Sequence, residues 1–470
     1  MGNRNYVKRG MSYLKRNGVA KTMEKAMERL GRDRDEADYA PNVATESELE
    51  AQRERIFEHP YKFSILVPVY ETDPEVFRKM LESVGSQTYG NWELILADAS
   101  RDDSRRAIVR SFTEEYTLAC RDLYGSIHDK VRYIRTEGKG ISDNTNEALS
   151  CARGDYIALL DHDDVLDNSA LFAIMDAIEK KEQSGIKREL IERAMLIYSD
   201  EDKISEDGSR YFDPNIKPDF DPVLLCTNNY ICHLCVVDTA LAKSVGGFRA
   251  QYDGAQDHDF ILRCTENIRN DEIVHVPEVL YHWRSSSGST AENPESKLYA
   301  YEAGKRAVED HLKRRGIKAK VVHSPHLGFF DIEYEKDGYD AASLGGGEFE
   351  MILSDDLEPA SNDYLTDMIS CMSLSHVGAV TGKIIGKDRK VESAGFDIDK
   401  TGKAVPRFAG LNSRFSGTMH RACLDQIVDD ASPDCVLIRK DAVAKTDPHI
   451  VLKDGYDIYF RHQAVFKRKS

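Results

Sequence analysis

Residues 157–164 read IALLDHDD, so Asp161, Asp163 and Asp164 follow directly on an apolar run. Carboxylates this close repel one another and raise each other's pKa. Such a group is stable as a solvated turn, or where a positive partner compensates it. In an extended segment Asp161 and Asp163 point to the same side, about 6.5 Å apart. Two such oxygens suit Mg2+ or Mn2+, hard cations that keep open positions for the oxygens of a diphosphate. Asp-x-Asp alone says little in an acidic chain, so its meaning depends on the element that delivers it.

The flanking segments alternate strand and helix patterns. FSILVPVY (63–70), WELILAD (92–98), VRYIRT (131–136) and YIALLD (156–161) read as strands. Asp73 caps a helix with Pro74 in its first turn, and Phe77, Met80, Leu81 and Val84 share one face. NEALSCA (146–152) is helical, as is SALFAIMDAIEK (169–180), with Leu171, Ile174, Met175 and Ile178 on one side. This alternation predicts an α/β fold whose mainly parallel sheet is covered on both faces. Ligands of such sheets bind at the carboxyl ends of strands. Those ends carry Tyr70 and Glu71, then Asp98 and Ser100, then the acids of IALLDHDD. No glycine-rich phosphate loop follows the first strand, where Pro68 and Tyr70 stand, which weighs against a dinucleotide fold or a P-loop.

The formal charge of -17 argues against a general nucleic-acid binder. The length of 470 residues suits about two to three domains. No apolar run approaches the roughly 20 residues that cross a bilayer. The opening residues show no signal-peptide pattern, and the nine scattered cysteines read as reduced thiols in a cytoplasmic setting. Cys232 and Cys235 lack a second pair for zinc, and YICHLCVVD reads as a buried strand. Residues 1–34 run against the acidic whole, with ten Lys/Arg against three acids, a net +7. Val7, Met11 and Leu14, then Val19, Met23, Met27 and Leu30, repeat at helical spacing. This basic amphipathic stretch is expected to pack on the following domain or to touch an anionic membrane surface. Thr45 and Glu48 match a capping box for a further helix.

SILVPVYE, WELILADAS, GISDNTNEAL, GDYIALLDHDDVL, DGAQDHDFILR and VLYHWR occur in this order. Together they resemble family 2 glycosyltransferases with a GT-A fold, above all bacterial enzymes of O-antigen, capsule and rhamnose-polysaccharide assembly. The resemblance spans about residues 60–315. It implies inverting transfer of a sugar from a pyrimidine nucleotide-diphosphate donor, a UDP-sugar or dTDP-rhamnose, to a glycan or lipid-linked glycan acceptor. By matching position, Pro68, Tyr70 and Glu71 lie where base and ribose sit, and Asp98 bonds the pyrimidine. Lys139 and Asn144 lie in the loop over the nucleotide. Asp163 is the main Mn2+ or Mg2+ ligand, with His282 of YHWR completing the site. Asp161 serves the ribose or supports the metal, and Arg284 meets diphosphate charge. Asp257 is the base, with Gln256 where many relatives carry Glu. The lesser reading of Asp257 is a helix cap before FILRC, and Asp259 is the neighbouring alternative. YSDEDK (198–203) reads as a loop with solvent-facing acids, Trp283 as core or a sugar platform, and residues 179–193 as a solvated charged helix and turn.

The organisation expected is a basic helical extension over residues 1–59, a GT-A domain over 60–318 and a degenerate second GT-A-like domain over 319–470. EMILSDDLEP (350–359) repeats the strand and the acids. No pyrimidine-binding first strand precedes it and no GAQDHDFILR equivalent follows, while Lys467 stands where a histidine ligand is expected. Chemistry is therefore assigned to the first copy alone. Two other readings remain: an inactive glycan-binding scaffold that kept the fold, and a nucleotidyltransferase. The second would leave a nucleotide on its product, and GAQDHD with YHWR favours sugar transfer.

Overall fold

The structure is a computed structural model and describes residues 14, 18–19, 21–30, 39–119, 126–184, 193–285, 298–335, 347–445 and 449–469. Val7, Met11 and most of the charged stretch 179–193 lie outside the described residues. The chain divides into two compact units. One comprises residues 36–220 and 229–311, the other residues 1–35, 221–228 and 312–470.

In the first of these, α1 (Glu46–Glu54) opens on the expected capping box, with Thr45 and Glu48 satisfying each other's backbone donors. Strand β1 (Phe63–Val69) is almost wholly buried, because every side chain but Ser64 is apolar. Asp73 then accepts from the Glu75 and Val76 amides and starts α2 (Pro74–Gly85). Phe77, Met80, Leu81 and Val84 lie fully inside the core at i, i+3, i+4 and i+7. Each such side chain is worth about 1.5–3 kcal/mol on burial, so a charge at Leu81 would unseat the helix. Strand β2 (Trp92–Asp98), α3 (Ser104–Ala119), β3 (Val131–Arg135), α4 (Ile141–Cys151), β4 (Tyr156–Leu159), β5 (Val165–Leu166) and α5 (Ala170–Ser184) follow. Then come β6 (Leu196–Ile204), β7 (Tyr211–Asn215), β8 (Cys235–Asp238), α6 (Gln256–Thr265) and β9 (Ile273–Arg284).

The strands form one sheet in the order β3-β2-β1-β4-β8-β6-β9-β5, with β7 beside β6. The expected α/β fold is present. The β3-β2-β1-β4 half is parallel throughout. Beyond β4 the sheet becomes mixed, since β8 is antiparallel to both its neighbours while β6 and β9 are parallel. Register aligns the ligand edge: Val69 faces Asp98, Asp98 faces Arg135, and Leu66 faces Leu159. The residues after β1, β2 and β4 therefore emerge side by side.

Two expectations change. YSDEDK is not a loop but the middle of β6, and Asp200 and Asp202 are fully buried. YICHLCVVD is a strand only from Cys235, so Tyr230–Leu234 is free to bend into the ligand edge.

In the other unit, strands Phe349–Leu353, Cys435–Arg439, Val377–Ile385, Asp457–Arg468 and Leu357–Pro359 build a sheet in that order. Ala379, Val436, Ile438 and Phe460 contribute to its core. Leu357 faces Arg468, and Lys467 faces Glu358. In the first unit Val165 faces His282. The residue opposite the position after the acid pair is thus an arginine here, not the lysine expected.

Candidate active site

At the β2 end, Asp98 is fully buried. Its Oδ1 accepts the Ser100 amide at 2.7 Å, and its Oδ2 accepts Tyr133 Oη and, at 3.2 Å, Arg135 Nη1. Burial and the Asp98 charge push the Tyr133 hydroxyl well up, so it remains a donor. Glu71 donates its amide to Ser100 Oγ at 2.9 Å and accepts the Arg101 amide at 2.9 Å. Pro68 is half-buried in β1, and the Tyr70 side chain beside it is half exposed. Asn144 is buried in α4, where its Oδ1 accepts Thr136 Oγ1 at 2.8 Å. Lys139 reaches into solvent and pairs with Glu137 at 2.7 Å. The loop carrying it is anchored: Ser142 donates to Asp253 through its amide (3.3 Å) and hydroxyl (2.5 Å). Gly140 sits at φ +145°, and a Cβ there would lie 2.5 Å from Asp253 Oδ2. Only glycine lets this loop meet the DGAQDHD segment so closely.

After β4 the chain makes the acid turn. Asp164 points inward, accepting Tyr281 Oη at 2.6 Å and the Arg284 amide at 2.7 Å. Arg284 is almost fully buried, and its guanidinium bonds the Asp163 carbonyl (2.8 Å), the Glu206 carbonyl (3.1 Å) and the Ser205 carbonyl (3.3 Å). Its described partners are the turn itself and the loop after β6. The Asp163 side chain faces outward with one-third of its surface exposed. Burial pushes the Asp164 carboxyl well up, and Asp163 and Asp161 add to it. Burial also raises Asp161; Asp163 and Asp257 push it further, while His233 and His162 oppose them. The charged forms of Asp161 and Asp164 are therefore disfavoured in this turn unless a positive partner meets them.

The described donors that converge are Asp161, Asp164 and His233, whose ligand atoms lie within 4.8 Å of one another. Two carboxylates and an imidazole fit a hard or borderline divalent cation. His233 was not singled out from sequence, because its apolar flanks read as a strand. Its ring stacks on Tyr281 with centroids 4.6 Å apart. His282, expected to complete the metal site, is not among these converging donors: Tyr281 and Trp283 on either side of it in β9 face His233, while its own buried ring has Nδ1 2.6 Å from Asp202 Oδ1. That contact turns Nε2, the other ring nitrogen, into the one left for a ligand.

Asp257 stands in the first turn of α6 rather than at its cap, which is Ala255. Its Oδ2 accepts Asn229 Nδ2 at 2.9 Å and the Cys232 thiol at 2.8 Å. Asp259 is fully buried and held by Arg249 and by Arg263 Nη2 at 2.8 Å, so it is committed to structure. The acids of β6 brace the rear: His275 Nε2 lies 2.8 Å from Asp200, and Asn215 donates to Glu201 at 3.0 Å. Three consecutive acids, Asp200 to Asp202, between apolar LIY (196–198) and Ile204, with His275 and His282 seven apart on a later strand, are the trace of this support in the sequence.

The second acid pair differs. Arg468 lies 2.7 Å from Asp356, 2.8 Å from Glu392 and 2.5 Å from Asp434. Protein cations already meet the charge there. Among the described residues no helix is long and apolar enough to cross a membrane.

Residues 64–202 match the profile of glycosyl transferase family 2. An uncharacterized Sinorhizobium fredii protein, y4gI, is 31% identical over 457 residues, covering 80% of this chain and 48% of its own length. The O-antigen biosynthesis protein RfbC of Myxococcus xanthus is 31% identical over 283 residues, covering 60% of this chain and 20% of its own. The chain thus spans about half the length of one relative and a fifth of the other. Among solved structures, S. aureus TarS 1-349 in complex with UDP-GlcNAc aligns with a TM-score of 0.39 and 18% identity, covering 53% of this chain and 66% of that one.

Proposed function

Because residues 64–202 match the profile of glycosyl transferase family 2, we propose that the chain transfers a sugar, with inversion, from a pyrimidine nucleotide-diphosphate donor to a hydroxyl of a cell-surface polysaccharide. The catalytic unit is the 60–318 region, with 319–470 in a supporting role. The observation that carries this reading is the juxtaposition at one sheet edge. Asp98 ends β2, the Asp161–Asp164 turn follows β4, and Asp257 is near enough to Asp161 to bias its ionisation.

In this reading Pro68, Tyr70, Glu71 and Asp98 receive the base and ribose, with Asn144 and the Lys139 loop covering them. Asp161, Asp164 and His233, the donors that converge, would hold a divalent cation, with Asp163 on the exposed side of the same turn and His282, oriented by Asp202, as the further candidate ligand. When bound, Mn2+ or Mg2+ supplies Lewis-acid stabilisation of the departing diphosphate. Asp257 accepts the proton of the acceptor hydroxyl as its oxygen bonds the anomeric carbon from the opposite face. The bond from that carbon to the diphosphate oxygen breaks, and its electron pair leaves with the nucleoside diphosphate. Arg284 acts on the turn by fixing the Asp163 carbonyl.

The N-terminus supports peripheral contact with an anionic membrane, where a lipid-linked acceptor would lie. In the described helical residues 21–30, Glu28 accepts the Ser416 and Gly417 amides at 2.9 and 2.7 Å. Met23, Met27 and Leu30 are 60%, 52% and 66% exposed. Acids dock this helix, and its apolar stripe is left outward.

The test is release of nucleoside diphosphate from UDP-sugars and dTDP-rhamnose in the presence of Mn2+. Asp257→Asn is expected to lower kcat by about 10²–10⁴ while donor binding persists. Full turnover by that variant would overturn the assignment.

A further inference from the structure

We propose that Asn229 and Cys232 are positioning residues that hold the Asp257 carboxylate for proton transfer, on a segment fastened by Lys217. This rests on the reading of Asp257 as the base. Both donors reach the same oxygen, Oδ2, at 2.9 and 2.8 Å, and among the described hydrogen bonds none is given to Oδ1. Two donors on one oxygen fix the plane of the carboxylate and leave the other oxygen to take a proton.

The segment is itself held with care. Lys217 is fully buried, and its Nζ donates to the carbonyls of Ile231 (3.2 Å), Cys232 (3.0 Å) and His233. Glu201, 3.6 Å away on β6, balances its charge. An ammonium is costly to bury unless paired and bonded. Here it is spent on three successive carbonyls of the segment that presents Cys232 to Asp257 and His233 to Asp161. β6 and the segment that holds the base are thereby joined through one buried side chain.

The experiment measures release of UDP or dTDP from UDP-glucose, UDP-N-acetylglucosamine and dTDP-rhamnose with Mn2+ and water as acceptor. Wild type is compared with Cys232→Ala, Cys232→Ser, Asn229→Ala and Asp257→Asn. Cys232→Ala should lower kcat about tenfold, a fraction of what a general base supplies, with KM for the donor unchanged. Cys232→Ser keeps a donor in place and should recover most of that loss. Asn229→Ala should behave like Cys232→Ala, which keeps the question decidable if one variant folds poorly. If kcat is unchanged in both alanine variants while Asp257→Asn is inactive, the clamp is wrong and the base stands. If Asp257→Asn turns over normally, the base assignment fails and takes the clamp with it. A rise in KM matching the fall in kcat would mark a general loss of structure and also overturn the proposal.

Discussion

Asp202 Oδ1 lies 2.6 Å from His282 Nδ1, deep between β6 and β9. A carboxylate on one ring nitrogen fixes the imidazole's orientation and strengthens the other nitrogen as a ligand. Asp202→Ala is therefore expected to weaken Mn2+-dependent UDP binding by about 10–100-fold, read by calorimetric titration. Affinity equal to wild type would remove His282 from the cation's surroundings.

Asp98 serves three donors at once. Asp98→Ala leaves the Ser100 amide and the Tyr133 hydroxyl without their acceptor in a closed site, at a cost of about 1–3 kcal/mol. Both a lower Tm and weaker nucleotide binding are expected. Lost stability with intact binding of UDP would confine Asp98 to structure.

In the other unit, burial pushes the Asp221 carboxyl up to about 6. It accepts the Val223, Leu224 and Ile427 amides. Its folded pKa lies above the unfolded value, so the folded chain binds the extra proton. The stability it contributes is full below pH 4 and is lost as pH rises toward and through 6. The span is roughly 3 kcal/mol. Asp221→Asn cannot titrate, so its stability relative to wild type should rise between pH 4 and 7 in urea unfolding. A constant difference across that range would contradict the shift.

Arg468 answers Asp356, Glu392 and Asp434 together. Arg468→Ala is expected to lower the unfolding free energy by about 1–3 kcal/mol through unpaired acids and to leave donor turnover unchanged. Loss of turnover at normal stability would mean that the second acid pair takes part in chemistry.

The outward stripe of Met23, Met27 and Leu30 predicts co-sedimentation with phosphatidylglycerol vesicles, fading in high salt as charge is screened. Met23→Glu with Met27→Glu should reduce it several-fold. Equal binding to neutral vesicles, or no effect of the substitutions, would argue against a membrane role.

The strands that end at the ligand edge were legible because each is an apolar run that stops at an acid or aromatic residue. Helix α2 was legible because Asp73, Pro74 and the apolar spacing agree. What the sequence hid depended on partners distant along the chain. The acids of β6 looked solvated because Lys217, His275 and His282, which pair with them, come 16 to 80 residues later. His233 was hidden by local pattern, since apolar neighbours on both sides suggest a continuous strand. The bend before Cys235 is decided by tertiary contacts such as those of Lys217. In the C-terminal sheet, the residue opposite Leu357 is fixed by pairing register, which residue spacing alone misjudged by one position.

The account rests on a nucleotide sugar and a cation meeting at the turn after β4. Thermal unfolding with UDP-sugars and dTDP-rhamnose, with and without Mn2+, tests this most directly in wild type and Asp163→Ala. The account predicts that at least one donor raises Tm of the wild type only with Mn2+, and that Asp163→Ala abolishes the rise. Stabilisation of both proteins without metal, or of neither by any donor, would contradict it.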